Sequence, residues 1–355
     1  MAKVTLGAYR MMGVVKERRG PGWVSYREVA EPMPQPGQVK IAVTYAGICG
    51  SDLHILHDQI GLALRPPVVL GHEFVGHIVE FGDDSGAWQI GDRVVSETAF
   101  AVCGTCSMCM TGHDNVCAKK ELIGFVHNGA FAQFLVLPVA RLHRPDERLK
   151  DREAAMAEPV AGCVHAVIEQ CGVAAGDLVV IVGPGTVGLI DLQLAKASGA
   201  QVVLCGRSEH RLRLGKQLGA DHVVNLDRSD PRELVAQLSG GYGCDAFMEC
   251  AGTSESVALG LSLLRRRGRF LQQGLIADPA PIHFDEIAYK EITVVGTLGQ
   301  KWSAWERGLA LMARGLVQVE PLISDVLPMS AWEKAFGLVA SRAAQKVLLQ
   351  PDAVF

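Results

Sequence analysis

What this sequence lacks narrows it before anything else. Although 49% of its 355 residues are hydrophobic, they nowhere form the roughly 18 uninterrupted apolar residues that a membrane-spanning helix needs. The N-terminus has no basic segment followed by an apolar stretch and a small-residue cleavage site, so no secretory signal is expected and a cytoplasmic location is. Charge of one sign is also scarce. The balance of 34 basic against 38 acidic residues leaves a net charge of −4 with no extended run of either sign. Neither nucleic acid nor an anionic membrane is therefore an expected partner. The densest basic run, Arg265, Arg266 and Arg267, reads as the solvent-facing end of a helix. Internal repeats and low-complexity segments are missing as well, which excludes solenoids and linker-like chains.

Cysteine, by contrast, is plentiful. In a reducing compartment the ten cysteines are not expected to pair as disulfides. Five of them (Cys163, Cys171, Cys205, Cys244 and Cys250) sit among apolar neighbours and read as small core residues. The other five belong to patterns.

The first 150 or so residues are short β-branched runs punctuated by Gly and Pro, among them "QVKIAVTYAGICG", "FVGHIVEFG" and "AFAQFLVLP". They predict a β-rich, barrel-like domain. From about Asp177 the rhythm changes. "DLVVIVG", "QVVLCG", "HVVNL", "CDAFMECAG", "RFLQQG" and "ITVVGT" read as six strands alternating with helices, the pattern of a doubly wound parallel sheet. After Thr297 come helical segments and a strand, "QKVLLQP", expected to rejoin the first domain.

Within the alternating block, "GPGTVG" (Gly183 to Gly188) follows a strand and opens a helix, the context that gives G-x-G-x-x-G its meaning. Gly183 permits the turn, Gly185 lets backbone approach a pyrophosphate, and Gly188 lets helix pack on strand. An NAD site expects an acid about 20 residues on. Gly206 stands there instead, followed by Arg207 and Ser208, with Arg211 one turn further. Arginines and a hydroxyl accommodate a 2′-phosphate, which predicts NADP(H), with NAD(H) the alternative. The remaining candidate cofactor contacts are Thr186, Val187, Cys250, Leu275, Thr297 and Leu298.

The first domain carries a second constellation. "GICGSDLH" supplies Cys49, Ser51, Asp52 and His54, "GHEFVGH" supplies His72 and Glu73, and "AEPV" supplies Glu158. A thiolate, an imidazole and a carboxylate suit a catalytic zinc with one position left open. The segment "CGTCSMCMTGHDNVC" has the spacing C-x2-C-x2-C-x7-C, with Cys103, Cys106, Cys109 and Cys117. Four thiolates close a tetrahedral shell, so a zinc here would be structural. Two zinc ions per subunit are expected.

Together, "CGSDLH", "GHEFVGHIVEFG", the four-cysteine segment, "AEPV", "VGPGTVG" and "EPLISDVLPMSAWEKAF" resemble the zinc-dependent medium-chain alcohol dehydrogenase family, in its sorbitol and threonine dehydrogenase branch, over essentially the whole chain. The resemblance implies an α/β protein with a GroES-like catalytic domain (1–160 and 299–355, structural-zinc lobe at about 100–120). An inserted six-stranded Rossmann domain (161–298) would complete it, with the active site in the cleft between them. It implies that Cys49 and His72 are zinc ligands and that Glu158 or Glu73 completes the set. Ser51 then passes the substrate proton to His54. The implied reaction moves a hydride between NAD(P) and a secondary alcohol (polyol, cyclitol, amino alcohol or cyclic alcohol), giving the ketone. A homodimer or homotetramer is implied too.

The sequence departs from that branch at Ile55, where an aromatic residue is common, and at Gly299 and Gln300, where an arginine is. A more apolar substrate pocket is expected from Ile55, Leu56, Leu298 and Phe125, with His127, Asn128 and Gln300 left to offer hydrogen bonds. The rivals are a zinc-free enone or quinone reductase and a non-catalytic dinucleotide-binding protein on the same scaffold.

Overall fold

The computed structural model describes residues 10–83, 86–276 and 281–352. The chain divides into two units, Met1–Glu158 with Ile323–Phe355, and Pro159–Leu322.

The first unit is organised around the strand Gln38–Gly47. It pairs antiparallel with Glu73–Phe81, with Phe134–Pro138 and with the C-terminal strand Lys346–Gln350. That last pairing (Leu348 opposite Gly47, Leu349 opposite Ala46) explains why the chain end belongs with its beginning. Ile41, Ala46, Ile78, Phe131, Leu135 and Phe336 are buried in one core here. The alternation of strand side chains across a pleat puts such residues on one face.

Among the described residues, the second unit holds a six-stranded parallel sheet. Its order is His222–Asn225, Gln201–Gly206, Leu178–Val182, Cys244–Glu249, Leu264–Gln272 and Thr293–Gly296. Leu178–Val182 is buried at every position, as a strand covered by helices on both faces must be. Strand order reverses between Leu178–Val182 and Cys244–Glu249, and such a switch point leaves a crevice at the carboxyl ends of the strands. The Gly183 turn leaves the first of these two strands at that place.

Two expectations need correction. The unit boundary lies at Leu322/Ile323 and not at 299, because the helix Trp302–Ala313 packs in the second unit. A Cβ on its Gly308 would meet Val160 at 3.3 Å, and Gln318 exchanges hydrogen bonds with Gln193. The three arginines do not end a helix. The helix stops at Leu263, and Arg265, Arg266 and Arg267 run in the strand Leu264–Gln272, where Arg265 Nε donates to Asp245 at 2.5 Å. Apolar residues on both sides had made the helix look longer than it is. No helix of the described residues is long and apolar enough to cross a membrane.

Candidate metal and dinucleotide sites

Cys49 ends the Gln38–Gly47 strand's run and caps the helix Gly50–Leu56. Asp52, fully buried three residues on, accepts from the Cys49 backbone N–H at 2.9 Å and so fixes the turn. Its other oxygen lies 3.7 Å from Nδ1 of His72. Neither of those two buried atoms has a hydrogen-bond partner. An imidazole that faces a carboxylate through Nδ1 presents Nε2 to a metal, the arrangement in which an outer carboxylate orients a ligating histidine.

Ligand atoms of Cys49, His72 and Glu73 all lie within 4.8 Å of one another. Glu158 stands outside that close group, but its charge acts on both His72 and Lys346. Burial opposes a charge on the His72 ring, yet Asp52, Cys49 and Glu158 outweigh it and lift the ring's pKa to about 10. A buried pocket this anionic calls for positive charge, and a thiolate, an imidazole and a carboxylate are donors that suit zinc. The residues fit the ion.

Sequence reasoning missed two participants. Asp52 was visible in "CGSDLH" but carried no assigned role. Lys346, 298 residues from Ile48, donates to the Ile48 carbonyl at 2.9 Å and forms an ion pair with Glu73, both side chains being almost wholly buried. Only the pairing of the first and last strands brings it there.

Ser51 and His54 lie on one helix three residues apart, which places them on one face. Ser51 Oγ is 3.4 Å from His72 Nε2, and no hydrogen bond joins Ser51 to His54 among the described residues. Phe125 packs its ring 5.6 Å from His72. The other expected pocket residues of this unit have different employment. Ile55 is fully buried in the core, Asn128 Oδ1 accepts from the Val69 N–H at 3.0 Å, and His127 stacks on Phe100 and pairs with Glu121 at 2.8 Å.

The four cysteines converge separately. Four of their sulfur separations are 3.8 Å (Cys103–Cys109), 3.5 Å (Cys106–Cys109), 4.0 Å (Cys106–Cys117) and 3.6 Å (Cys103–Cys117). Sulfurs about 2.3 Å from one zinc at tetrahedral angles are about 3.8 Å apart. Backbone N–H groups of Thr105 and Cys106 pull the Cys103 thiol down to about 6, the direction that favours metal binding.

In the second unit, Gly183 has φ +107°, and a Cβ there would come 2.6 Å from the Cys250 carbonyl carbon. Gly185 opens the helix Thr186–Ala197 with no side-chain cap, and the space over it is clear, which suits a phosphate on the helix N-terminus. Val187, Leu275 and Leu298 are exposed apolar side chains on this unit. Thr297 Oγ1 is buried without a hydrogen-bond partner. These residues fit a dinucleotide. Gly206 is glycine for a packing reason: a Cβ would run into the Pro184 ring, so no carboxylate side chain can occupy that position. Beside it, exposed Arg207 pairs with Asp227 at 3.3 Å, and the Ser208 hydroxyl accepts from the Arg211 N–H at 3.5 Å as a helix cap.

Comparison with known proteins follows the same division. The family model described as alcohol dehydrogenase GroES-like domain matches residues 35–147, and the one described as zinc-binding dehydrogenase matches residues 186–314. The chain is 40% identical to sorbitol dehydrogenase of Halalkalibacterium halodurans, covering 96% of this chain and 99% of that one. It is 35% identical to D-arabitol-phosphate dehydrogenase of Enterococcus avium, over 96% and 98%. A structure from Sinorhizobium meliloti 1021, solved bound to NADP, superposes with a TM-score of 0.89 at 30% identity, covering 97% of this chain and all of that one.

Proposed function

We propose a reaction for this chain from one premise: it belongs to the zinc-dependent medium-chain alcohol dehydrogenase family. It is an oxidoreductase of that family. The reaction is reversible hydride transfer between a secondary alcohol and NADP, giving the ketone. The observation that carries this reading is the convergence of half-buried Cys49 with buried His72 and Glu73 within 4.8 Å.

Zinc at that place supplies Lewis acidity that makes an alcohol hydroxyl acidic near neutral pH, and a bound nicotinamide supplies the hydride acceptor. Cys49 and His72 would hold the ion, with Glu73 or Glu158 completing the set, and a second zinc would sit among Cys103, Cys106, Cys109 and Cys117. Asp52 faces the His72 ring on its Nδ1 side, which leaves Nε2 for the ion. Ser51, beside that nitrogen, takes the substrate proton, and half-buried His54 passes it toward water. Lys346 pairs with Glu73 and keeps it at hand.

The cofactor contacts are Gly183, Gly185, Thr186, Val187 and Gly188 at the phosphates, with Cys250, Leu275, Thr297 and Leu298 further along the strand ends. Gly206, Arg207, Ser208 and Arg211 would take the 2′-phosphate. The Pro184 ring over Gly206 excludes the acid that would repel it, and an NADP-bound structure is among the similar ones. Charge-assisted hydrogen bonds of about 1.5–3 kcal/mol each predict a kcat/KM for NADP about 10- to 100-fold above that for NAD. Nicotinamide absorbance measured with both cofactors, against polyols, cyclitols, amino alcohols and terpenoid alcohols, tests this. A preference for NAD would overturn the cofactor assignment.

The named relatives make polyols and their phosphates the first members of that panel. Among the described residues the strand Thr293–Gly296 pairs on one side only and exposes Val294, so a second copy adding its own edge there would give the dimer. Light scattering should show a dimer or tetramer, and a monomer at micromolar concentration would refute the assembly.

A further inference from the structure

Asp191 lies on the second turn of the helix that the glycine motif opens, and its side chain is wholly buried. The reaction proposed above has no use for it. Its Oδ2 accepts from the Cys250 thiol at 3.2 Å, while Oδ1 is buried with no hydrogen-bond partner. Cys163, Cys250 and Gln273 all act on the carboxyl, and no cation does. The same thiol approaches Gln273 Oε1 at 3.7 Å, and Cys163 Sγ contacts the Val187 carbonyl at 3.7 Å.

This group is packed against the back of the glycine turn. A Cβ on Gly183 would touch the Cys250 and Ala251 backbone, and one on Gly188 would strike the Gly183 carbonyl and lie 3.5 Å from Cys250 Cβ. Turn, Cys250 and Asp191 therefore form one close-packed block. A neutral carboxyl is tolerated there. A carboxylate is disfavoured, because the thiols and Gln273 offset only part of its lost hydration and no cation faces it among the described residues.

We propose that Asp191 is a positioning residue for the dinucleotide: neutral, it holds Cys250 against the glycine turn, and on ionising it loosens that turn and lowers coenzyme affinity. This rests on reading the unit as dinucleotide-binding. The titratable groups that face it are Cys163, Cys171 and Cys250, all thiols, and Glu249, which acts on Cys250. Glu249 has its own donors in the Ala251 and Gly252 N–H groups, Ser256 Oγ and Gln272 Nε2.

Burial lifts the Asp191 carboxyl from 3.8 to about 7, against the opposing pull of the two thiols and Gln273. A group raised in this way stabilises the packed form fully below the ordinary carboxyl range and loses that contribution as pH climbs through about 7. Affinity should follow the same course. Between pH 5.5 and pH 7 the Kd of NADPH, measured by fluorescence on the zinc-loaded protein, should rise about tenfold for the wild type and less than about twofold for Asp191→Asn. A parallel rise in both proteins overturns the proposal while leaving the dinucleotide reading intact. No NADPH binding by the wild type at any pH overturns both. Should Asp191→Asn not fold, infrared difference spectra of the wild type between pH 6 and 8.5 decide the matter. Loss of one protonated-carboxyl band supports the proposal, and its absence at pH 6 overturns it.

Discussion

A Cys49→Ala variant is expected to lose at least about a thousandfold in kcat while its Kd for NADPH stays within about twofold. The first number follows from what the thiolate does. On the reaction proposed, it is one of two ligands that no other side chain replaces, and a barrier raised by about 4 kcal/mol is a thousandfold in rate. Losing it also leaves Lys346 and His72 facing fewer anions, since Cys49 is among the groups that raise both. The second number follows from chain organisation. Every residue proposed to hold the dinucleotide lies between Gly183 and Leu298, inside the unit Pro159–Leu322, whereas Cys49 belongs to the other unit. Stopped-flow turnover and fluorescence titration separate the two outcomes. Normal turnover in this variant would remove the metal from the mechanism. Lost turnover together with lost NADPH binding would point to misfolding, which the unfolding temperature of the second unit checks.

That separation shows which features were legible from sequence and which were not. Motifs whose chemistry depends on neighbours in the chain were visible at once. Gly183 to Gly188 form a turn within six residues, the sulfurs of Cys103 to Cys117 converge within fifteen, and six alternating strands announce a parallel sheet. Features that depend on distant pairing were hidden. Lys346 in "QKVLLQP" looks like a charge at the start of an edge strand, and only its register beside Gly47 carries it to Glu73. Ile55 follows His54 in sequence, but a helix turns its side chain by about 100° per residue, and that step takes Ile55 into the core. The helix Trp302–Ala313 follows the last strand of the sheet directly, yet nothing in its composition says which unit its apolar face covers. Asp191 was hidden differently. A single acid in "TVGLIDLQLAKA" reads as the polar face of an amphipathic helix, and only its full burial gives it a role.

The second large effect concerns the other proposed metal site. Cys106→Ser should lower the zinc content from two to one per chain, measured by plasma emission, and open residues 103–117 to proteolysis by at least about tenfold. Cys106 ties the cluster to the backbone: its sulfur approaches Cys109 and Cys117, accepts from the Cys109 N–H at 3.5 Å and caps the short helix Ser107–Met110. The segment has little else to hold it. Met108 and Met110 are exposed, Cys117 and Asn115 are buried, and the polar ties are Arg141 to Asp114 at 3.0 Å and Lys120 to the Asn115 carbonyl at 2.5 Å. A segment that buries so little apolar area folds on the strength of its metal, so losing the metal melts it locally. The core around Ile41 and Phe131 contains none of these residues, so the bulk of the first unit should keep its unfolding temperature to within a few degrees. A chelator titration gives the same result on the wild type if the four thiolates hold the zinc, with protection of the segment falling as one equivalent leaves. Retention of both zinc ions by Cys106→Ser would show that the cluster is not a metal site, and an unchanged cleavage rate after zinc loss would show that the segment folds without it.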